Sequence, residues 1–261
     1  MASVRPPAVA GMFYPDDPRE LRAMLIRFLD VAPPAGAVPK AIIAPHAGYI
    51  YSGPVAASVY ARLKPARGVI ERVVLLGPSH RVPFEGLALS SAARFSTPLG
   101  DILLDQEAAE RIKTLPQVKV LDRAHADEHS LEVHLPFLQE VLGEFKLVPL
   151  VVGEASAEEV GEVLERLWGG PETLIVVSSD LSHYHDYATA RRRDTATSKA
   201  IETLRYEDIG YDDACGRIPV SGLLHVARRR GLHGKTIDLR NSGDTAGPRN
   251  QVVGYGAYAF N

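Results

Sequence analysis

The chain has little cysteine, little net charge and no long apolar run, and each of these absences excludes a class of protein. Its single cysteine, Cys215, rules out an internal disulfide. Lys and Arg number 29 against 32 Asp and Glu, which gives a net charge of −3 at pH 7 and no basic footprint for nucleic acid. The apolar runs fall far short of the ~20 residues of a membrane span, and no signal-peptide core follows the first residues. We therefore expect a cytoplasmic protein that binds neither nucleic acid nor membrane.

Apolar strand-like runs alternate with amphipathic segments along the whole chain. Its 261 residues with 46% hydrophobic content are enough for one substantial core. Strands are predicted at 41–44, 72–76, 146–152 and 173–177. This alternation is typical of a three-layer α/β/α domain around a largely parallel sheet. We expect one domain over residues 1–261.

Other segments are predicted from periodicity and from helix or turn signals. Ser156 and Glu159 form a capping box ahead of an apolar stripe. The stretch from Gly86 to Leu104 has short alternating segments, and we expect a β-hairpin or excursion that covers a site. Helices are predicted at 18–29, 54–63, 130–142, 191–204 and 221–230, and closing β segments at 236–240 and 251–260.

Three of the apolar runs are followed by a histidine in a tight corner. The residues are His46, His80 and His183. Because the carboxyl ends of parallel strands meet at one edge of a sheet, we expect these imidazoles to converge there. Neutral imidazoles bind iron, copper, zinc and nickel, so the pattern predicts a metal site.

The candidates for the third ligand are Asp180, Glu128 and Cys215, and spacing alone does not choose between them. Cys215 stands in a polar loop before a helix predicted to begin near Ser221, with Arg217 two residues further on. Backbone N–H groups at a helix start and a nearby guanidinium favour a thiolate. On these grounds Cys215 is a candidate ligand or reactive thiol.

Asp180 and His183 lie three residues apart just after a predicted strand, so both can face the same crevice. A carboxylate beside an imidazole raises its basicity and fixes its tautomer, as a general acid or base requires. The alternative is a helix start capped by Ser179 or Asp180, with His183 exposed.

A second group of histidines surrounds Glu128. His134 falls on the inward stripe of the helix predicted at 130–142, where it is either a core residue or one that orients a substrate or a ligand. His125 and His129 have the i, i+4 spacing of a helical metal pair, but the residues between them lack helical periodicity. The histidines predicted to be structural or exposed are His185, His225 and His233.

Five ordered motifs together resemble one family. They are Pro-His-Ala-Gly-Tyr, Gly-Pro-Ser-His, Asp-Glu-His-Ser-Leu-Glu-Val-His-Leu-Pro, Ser-Ser-Asp-Leu-Ser-His and Cys-Gly-Arg-Ile-Pro, preceded by Ala-Gly-Met-Phe-Tyr-Pro. This combination resembles the Memo family over nearly the whole chain. The family looks like a relative of the class III extradiol dioxygenases, which implies an α/β sandwich around a largely parallel mixed sheet, with non-haem Fe(II).

The resemblance implies that His46, His80 and Cys215 are the metal ligands. It also implies that Asp180 and His183 line the same pocket, with His183 as the acid/base residue. The dioxygenases use a carboxylate where this chain has a thiolate, which is softer and favours Cu(I) as well as iron. The candidates for the substrate pocket are Tyr49, Tyr51, His129, His134 and Arg217.

Three functions are expected in order of preference. The first is an iron-dependent oxidoreductase or dioxygenase-like enzyme for a small substrate. The second is a non-catalytic iron- or copper-binding protein that acts in redox chemistry or signalling through a peptide or protein partner. The third is a zinc hydrolase, in which zinc lowers the pKa of bound water. The oligomeric state is left open.

Overall fold

Runs of Val, Leu and Ile form the central strands of a mixed β-sheet. The computed structural model describes residues 3–32 and 36–261 of the chain. The strands are β1 (Val4–Arg5), β2 (Ala41–Ala44), β3 (Arg72–Pro78), β4 (Leu87–Leu89), β5 (Arg94–Thr97), β6 (Gly100–Leu103), β7 (Val118–Val120), β8 (Lys146–Val152), β9 (Thr173–Ser178), β10 (His183–His185), β11 (Gly234–Asn241) and β12 (Val252–Phe260).

Helices connect most of these strands and cover the sheet. They are α1 (Pro18–Asp30), α2 (Tyr49–Tyr60), α3 (Gln106–Ile112), α4 (Asp122–Ala126), α5 (Leu135–Leu142), α6 (Ala157–Leu167), α7 (Tyr187–Glu202), α8 (Arg217–Arg230) and α9 (Ser242–Thr245), with 3-10 turns at Ala61–Ala66, Glu132–His134 and Tyr206–Asp208. None of the helices in the described ranges is both long and apolar enough to cross a bilayer.

The large sheet has a parallel centre and mostly antiparallel flanks. Its order is β10-β12-β2-β9-β3-β8-β4-β7, with β11 also paired to β12. Strand β9 pairs in parallel with both β2 and β3, and β3 pairs in parallel with β8. Strands β1, β5 and β6 form a separate small sheet. The predicted largely parallel mixed sheet is thus confirmed.

Alternate residues of the central strands enter two separate apolar cores. In β9, Leu174 and Val176 pack on the side of α1, α2 and α5. Ile175 and Val177 face the other side, where they pack with α3, α6, α7 and α8. Because side chains alternate across a strand, a sheet buried on both faces needs apolar residues at every position. The result is the expected three-layer α/β/α arrangement.

Several predicted helices begin at other residues in the structure. Helix α2 begins at Tyr49 rather than near Pro54, and it accommodates Pro54 inside, at the loss of one backbone hydrogen bond. Helix α7 begins at Tyr187 because the Asp186 side chain caps it by accepting two backbone N–H bonds. Helix α8 begins at Arg217 with Gly216 as its N-cap, so Cys215 is the residue just before that cap. The capping box of Ser156 and Glu159 is confirmed.

A buried ion pair anchors the amino-terminal segment against the site. Arg5 pairs with the fully buried Glu132 and also donates to the backbone oxygen of Glu128 at 2.7 Å. Glu132 accepts the Tyr14 hydroxyl at 2.6 Å as well as two backbone N–H groups of the same segment. Charged groups tolerate such burial only when every one of them is paired. The pair therefore fixes the stretch that carries Glu128.

Two histidines are buried in an uncharged state. Burial lowers the pKa of His125 to about 4, and its Nε2 donates to the backbone oxygen of Ala88 at 2.9 Å. Burial lowers the pKa of His134 to about 3. Helix α4 contains His125 but ends before His129, so these two do not form a helical metal pair.

The metal-free protein should lose stability as the pH falls from 6.5 to about 4. In this window the unfolded chain protonates His125 while the folded chain does not, so the unfolded state binds more protons. This residue alone should remove about 2–3 kcal/mol from the free energy of unfolding between about pH 7 and about pH 4.5. Urea titrations at the two pH values measure the loss.

The variant His125→Gln keeps an N–H donor for Ala88 and removes the titration, so its stability should depend less on pH. The matched control is His233→Gln at an exposed position. An unchanged pH dependence in His125→Gln would contradict the prediction.

Candidate metal centre

Two histidines and the cysteine meet at the carboxyl edge of three neighbouring strands. His46 follows β2 and His80 follows β3, with β9 between these strands. Cys215 comes from the loop before α8, and its Sγ lies 3.4 Å from His46 Nε2. The ring centroids of His46 and His80 are 5.1 Å apart. The three ligand atoms all lie within 4.8 Å of one another.

A buried carboxylate holds the His80 ring. Glu128 Oε1 is 2.8 Å from His80 Nδ1, and Oε2 accepts the His80 backbone N–H at 2.6 Å. Burial opposes ionisation of Glu128, but the hydrogen bonds and charge of His80 outweigh it and lower its pKa to about 2. With Nδ1 engaged, Nε2 is the His80 nitrogen left for a metal ion.

Hydrogen bonds also fix the ring and the backbone of His46. Its Nδ1 lies 2.6 Å from Ser178 Oγ at the end of β9. Its backbone N–H donates to the Asp180 carboxylate at 2.7 Å. Burial lowers the pKa of His46 well below the ordinary value, and the neighbouring imidazoles add to this effect. The ring is therefore neutral and offers the lone pair of Nε2.

Two glycines allow the loops to approach closely enough. A Cβ on Gly77 would stand 2.7 Å from Ser130 Oγ, so this position at the end of β3 admits the loop that carries Glu128. A Cβ on Gly216 would stand 2.4 Å from the Ser178 backbone oxygen. Separations below 3.0 Å do not occur for real Cβ atoms. A larger residue at position 77 would displace the loop that carries Glu128, and one at position 216 would displace Cys215.

The donor set fits a first-row transition metal ion. Ligands at 2.0–2.3 Å in tetrahedral geometry stand about 3.5 Å apart. The 3.4 Å between His46 Nε2 and Cys215 Sγ matches that spacing. Two neutral imidazoles with one sulfur suit iron, copper and zinc. The residues His80, Glu128 and His129 also come together, but Glu128 and His80 Nδ1 bind each other there.

The protein around Cys215 opposes the thiolate state that the sequence predicted. Burial of the sulfur raises its pKa well above the ordinary value, and the Asp180 carboxylate adds to this effect. Arg217, expected beside the thiol, instead stacks on Tyr211 at 5.2 Å and lies 4.0 Å from Glu154. A bound cation would have to displace the thiol proton.

A cavity of about 680 Å³ adjoins this cluster. Its wall includes His80, Cys215, His183, His185 and Arg217. Burial lowers the pKa of His183, with smaller contributions from His80 and His185. Two of the candidate ligands therefore line the same cavity as two further imidazoles and a guanidinium.

Asp180 and His183 are not paired as the sequence predicted. The Asp180 carboxylate binds the backbone of the His46 loop, and burial raises its pKa to about 7 although those hydrogen bonds oppose the rise. His183 lies on β10 and faces the cavity. The third imidazole next to His46 and His80 is that of His129. Its ring centroid lies 4.6 Å from that of His80, on which it stacks, and 5.5 Å from that of His46.

The other pocket candidates lie outside the cavity wall. Tyr49 is buried and donates to the Val133 backbone oxygen at 2.6 Å. Tyr51 is partly exposed on α2. His134 lies behind Ser178, at 2.8 Å from its Oγ. The predicted excursion at 86–104 divides between β4 of the large sheet and the β5–β6 hairpin, and none of it lines the cavity.

His185 was expected to be structural or exposed, yet it lines the cavity beside His183. Between them, Tyr184 has a left-handed backbone with φ of 61°, at a shift in the pairing of β10 with β12. Histidines two residues apart on a strand share a face, and that spacing was the available signal. A tyrosine held in this conformation stores strain next to a functional wall.

The fold and the cluster define an α/β protein with a candidate site for a metal ion made of two histidines and a cysteine. The chain matches the family model described as Memo-like protein over residues 5–259. A MEMO1 family protein of Aquifex aeolicus is 39% identical over 263 residues, which cover 97% of each chain. Relatives under the same family name from Methanopyrus kandleri and Sulfolobus acidocaldarius are 36% and 34% identical, over 98% of this chain. The chain belongs to the Memo family.

Co(II) added anaerobically should give a thiolate-to-metal charge-transfer absorption that Cys215→Ser abolishes. The substitution should weaken Co(II) binding by more than about 100-fold, because losing a ligand costs more than losing one of its supports. His233→Ala serves as the control for loss of a remote imidazole. A charge-transfer band that persists in Cys215→Ser would show that another group binds the ion.

Tyr184→Gly should raise the free energy of unfolding by about 1 kcal/mol, since relief of left-handed strain exceeds the entropy that glycine loses on folding. The control is Tyr184→Ala, which removes the same side chain but keeps a Cβ in the left-handed region. Urea unfolding measures both. Equal destabilisation of the two variants would refute the strain at Tyr184.

Proposed function

We propose that the protein is a non-haem iron-dependent oxidoreductase of dioxygenase type that acts on a small substrate. His46, His80 and Cys215 would hold Fe(II). The supporting observation is the cavity of about 680 Å³, which two of these ligands share with His183 and Arg217. A structural metal site is closed by four protein ligands, whereas three donors beside a cavity leave room for a reactant.

The metal would supply redox chemistry and open coordination positions next to the cavity. The remaining work falls to the side chains on the wall. His183 is half-buried and its pKa is lowered by burial, so its ring is neutral at pH 7 and able to take a proton from a substrate hydroxyl. This role does not need Asp180, which holds the His46 loop instead.

Arg217 provides the cation of the cavity wall. Its ion pair with the exposed Glu154, which also lines the cavity, is loose at 4.0 Å, and such pairs contribute little. Stacking on Tyr211 keeps the guanidinium at the wall. A carboxylate on the substrate would bind there, since guanidinium recognises carboxylate in a planar, two-pronged geometry. The proposed substrate is therefore a small molecule that carries a carboxylate, and the resemblance to the dioxygenases makes aromatic diols the first compounds to test.

Protein loaded with Fe(II) under anaerobic conditions should consume O₂ when a catechol panel is added. The panel pairs each neutral catechol with its carboxylated form, and the carboxylated forms should have the lower KM. His183→Ala should lower kcat by about 10²- to 10⁴-fold, the usual contribution of a general acid or base. An oxygen electrode measures the rates, and iron analysis shows that the variants carry equal metal.

The control is His233→Ala, which removes an exposed imidazole outside the cavity wall. Its rate should equal that of the parent protein. Absence of O₂ consumption above the His183→Ala level across the whole panel would refute the enzymatic proposal.

The sulfur ligand favours a second candidate, a copper- or iron-binding protein without turnover that acts through a peptide or protein partner. A thiolate with two imidazoles is a soft donor set that also suits Cu(I). Metal analysis of protein purified without added metal separates the candidates. Iron with O₂ reactivity supports the enzyme, copper without turnover supports the second candidate, and stoichiometric zinc would direct attention to hydrolysis.

A further inference from the structure

Three buried polar side chains stand in a row behind His46. Ser178 Oγ is 2.6 Å from His46 Nδ1, His134 Nε2 is 2.8 Å from Ser178 Oγ, and the Tyr60 hydroxyl is 2.8 Å from His134 Nδ1. All three residues are almost completely buried, and none lines the cavity. We call Ser178, His134 and Tyr60 the His46 support chain.

The positions of the protons in this chain follow by elimination. Ser178 Oγ lies 2.6 Å from the backbone oxygen of Ser130, and a carbonyl oxygen can only accept. The single hydroxyl proton of Ser178 is therefore used, and Oγ must accept from both imidazoles. His46 consequently carries its proton on Nδ1, and His134 carries its proton on Nε2.

The far end of the chain agrees with this assignment. A neutral His134 with its proton on Nε2 has a bare Nδ1, which accepts the Tyr60 hydroxyl. Ser178 then donates one hydrogen bond and accepts two, its full capacity. Reversing the His46 tautomer would place two acceptors against each other and leave a buried contact without a proton.

Ser130 joins this chain to the support of the other histidine. Its backbone N–H donates to Glu128 Oε1 at 2.9 Å, and Glu128 holds His80 Nδ1. Its backbone oxygen accepts from Ser178, which holds His46 Nδ1. One peptide segment thus fixes the supports of both imidazoles.

We infer that Ser178, itself fixed by His134 and Tyr60, is a positioning residue that locks His46 as the Nδ1–H tautomer and aims its Nε2 lone pair at the metal position. The inference rests on the proposed metal binding. It gives His134 a place in the support of the ligand rather than in the substrate pocket.

The geometry argues against a proton path through this chain. The chain ends at Tyr60, which is fully buried and stacked on Phe137 at 5.0 Å. Burial raises the pKa of Tyr60 well above its ordinary value. A group so placed neither reaches solvent nor releases a proton, so the chain holds the ligand in position.

The tautomers are directly measurable in the metal-free wild-type protein. Two-bond and three-bond ¹⁵N–¹H correlations of the imidazoles distinguish Nδ1–H from Nε2–H forms. We expect His46 as Nδ1–H and His134 as Nε2–H. Observation of His46 as the Nε2–H tautomer would overturn the inference, whether or not the protein binds a metal.

Substitution tests the consequence for the ligand. Ser178→Ala should weaken Co(II) binding by about 10- to 100-fold, as removal of such a support does in other metal sites. Ser178→Thr keeps the hydroxyl and should restore the affinity. The matched control is Ser58→Ala, at a buried serine that donates to the Val55 backbone oxygen at 2.6 Å.

Both alanine variants delete one buried hydroxyl, but Ser178→Ala leaves three buried partners unsatisfied where Ser58→Ala leaves one, so the melting temperature of the Ser178 variant should fall further. Only Ser178→Ala should lose Co(II) affinity. Wild-type affinity in Ser178→Ala would overturn the inference. Failure of the wild-type protein to bind Co(II) would instead refute the proposed function, and the tautomer measurement would then decide the inference alone.

Discussion

The parallel pairing of β9 with both β2 and β3 is the constraint on which the candidate site depends. Because these strands run side by side in one direction, the residues that follow them meet at one edge of the sheet. His46 comes from one strand and His80 from another, while the strand between them ends in Ser178. Cys215, 169 residues after His46, completes the set because Gly216 lets its loop touch the end of β9.

Burial determines the charge state of the groups at this edge. The imidazole of His46 is neutral, and the Glu128 carboxylate remains ionised because hydrogen bonds offset its burial. Removing charges from water is costly unless each is paired, so the buried His46 ring is neutral and the Glu128 carboxylate is hydrogen-bonded. If a cation bound at this candidate site, the change needed on binding would be concentrated at the Cys215 thiol, which would have to lose its proton.

The sequence predicted the layers and the strand ends well, because apolar runs followed by Gly, Pro and His are local signals. His46 and His80 were found from these signals alone. The choice of Cys215 over Asp180 and Glu128 required the family resemblance, since the placement of its loop is a tertiary property. Burial also opposes the thiolate expected from its neighbours in sequence. His129 lies against His46 and His80, whereas His183 lies on the antiparallel strand β10 and lines the cavity. Ser178 lies just after the strand predicted at 173–177 and gave no signal of its own, because its contacts exist only in the folded chain.

The cavity wall includes His80 and Cys215 but not His46, which is buried behind them. A molecule in the cavity can therefore reach the cluster from one side only. If a molecule bound with an anionic end at the Arg217 guanidinium, the rest of it would lie against the wall that holds His80 and Cys215. A prochiral reactant would show the centre a single face. The architecture would thus impose handedness on a product whose starting material has none.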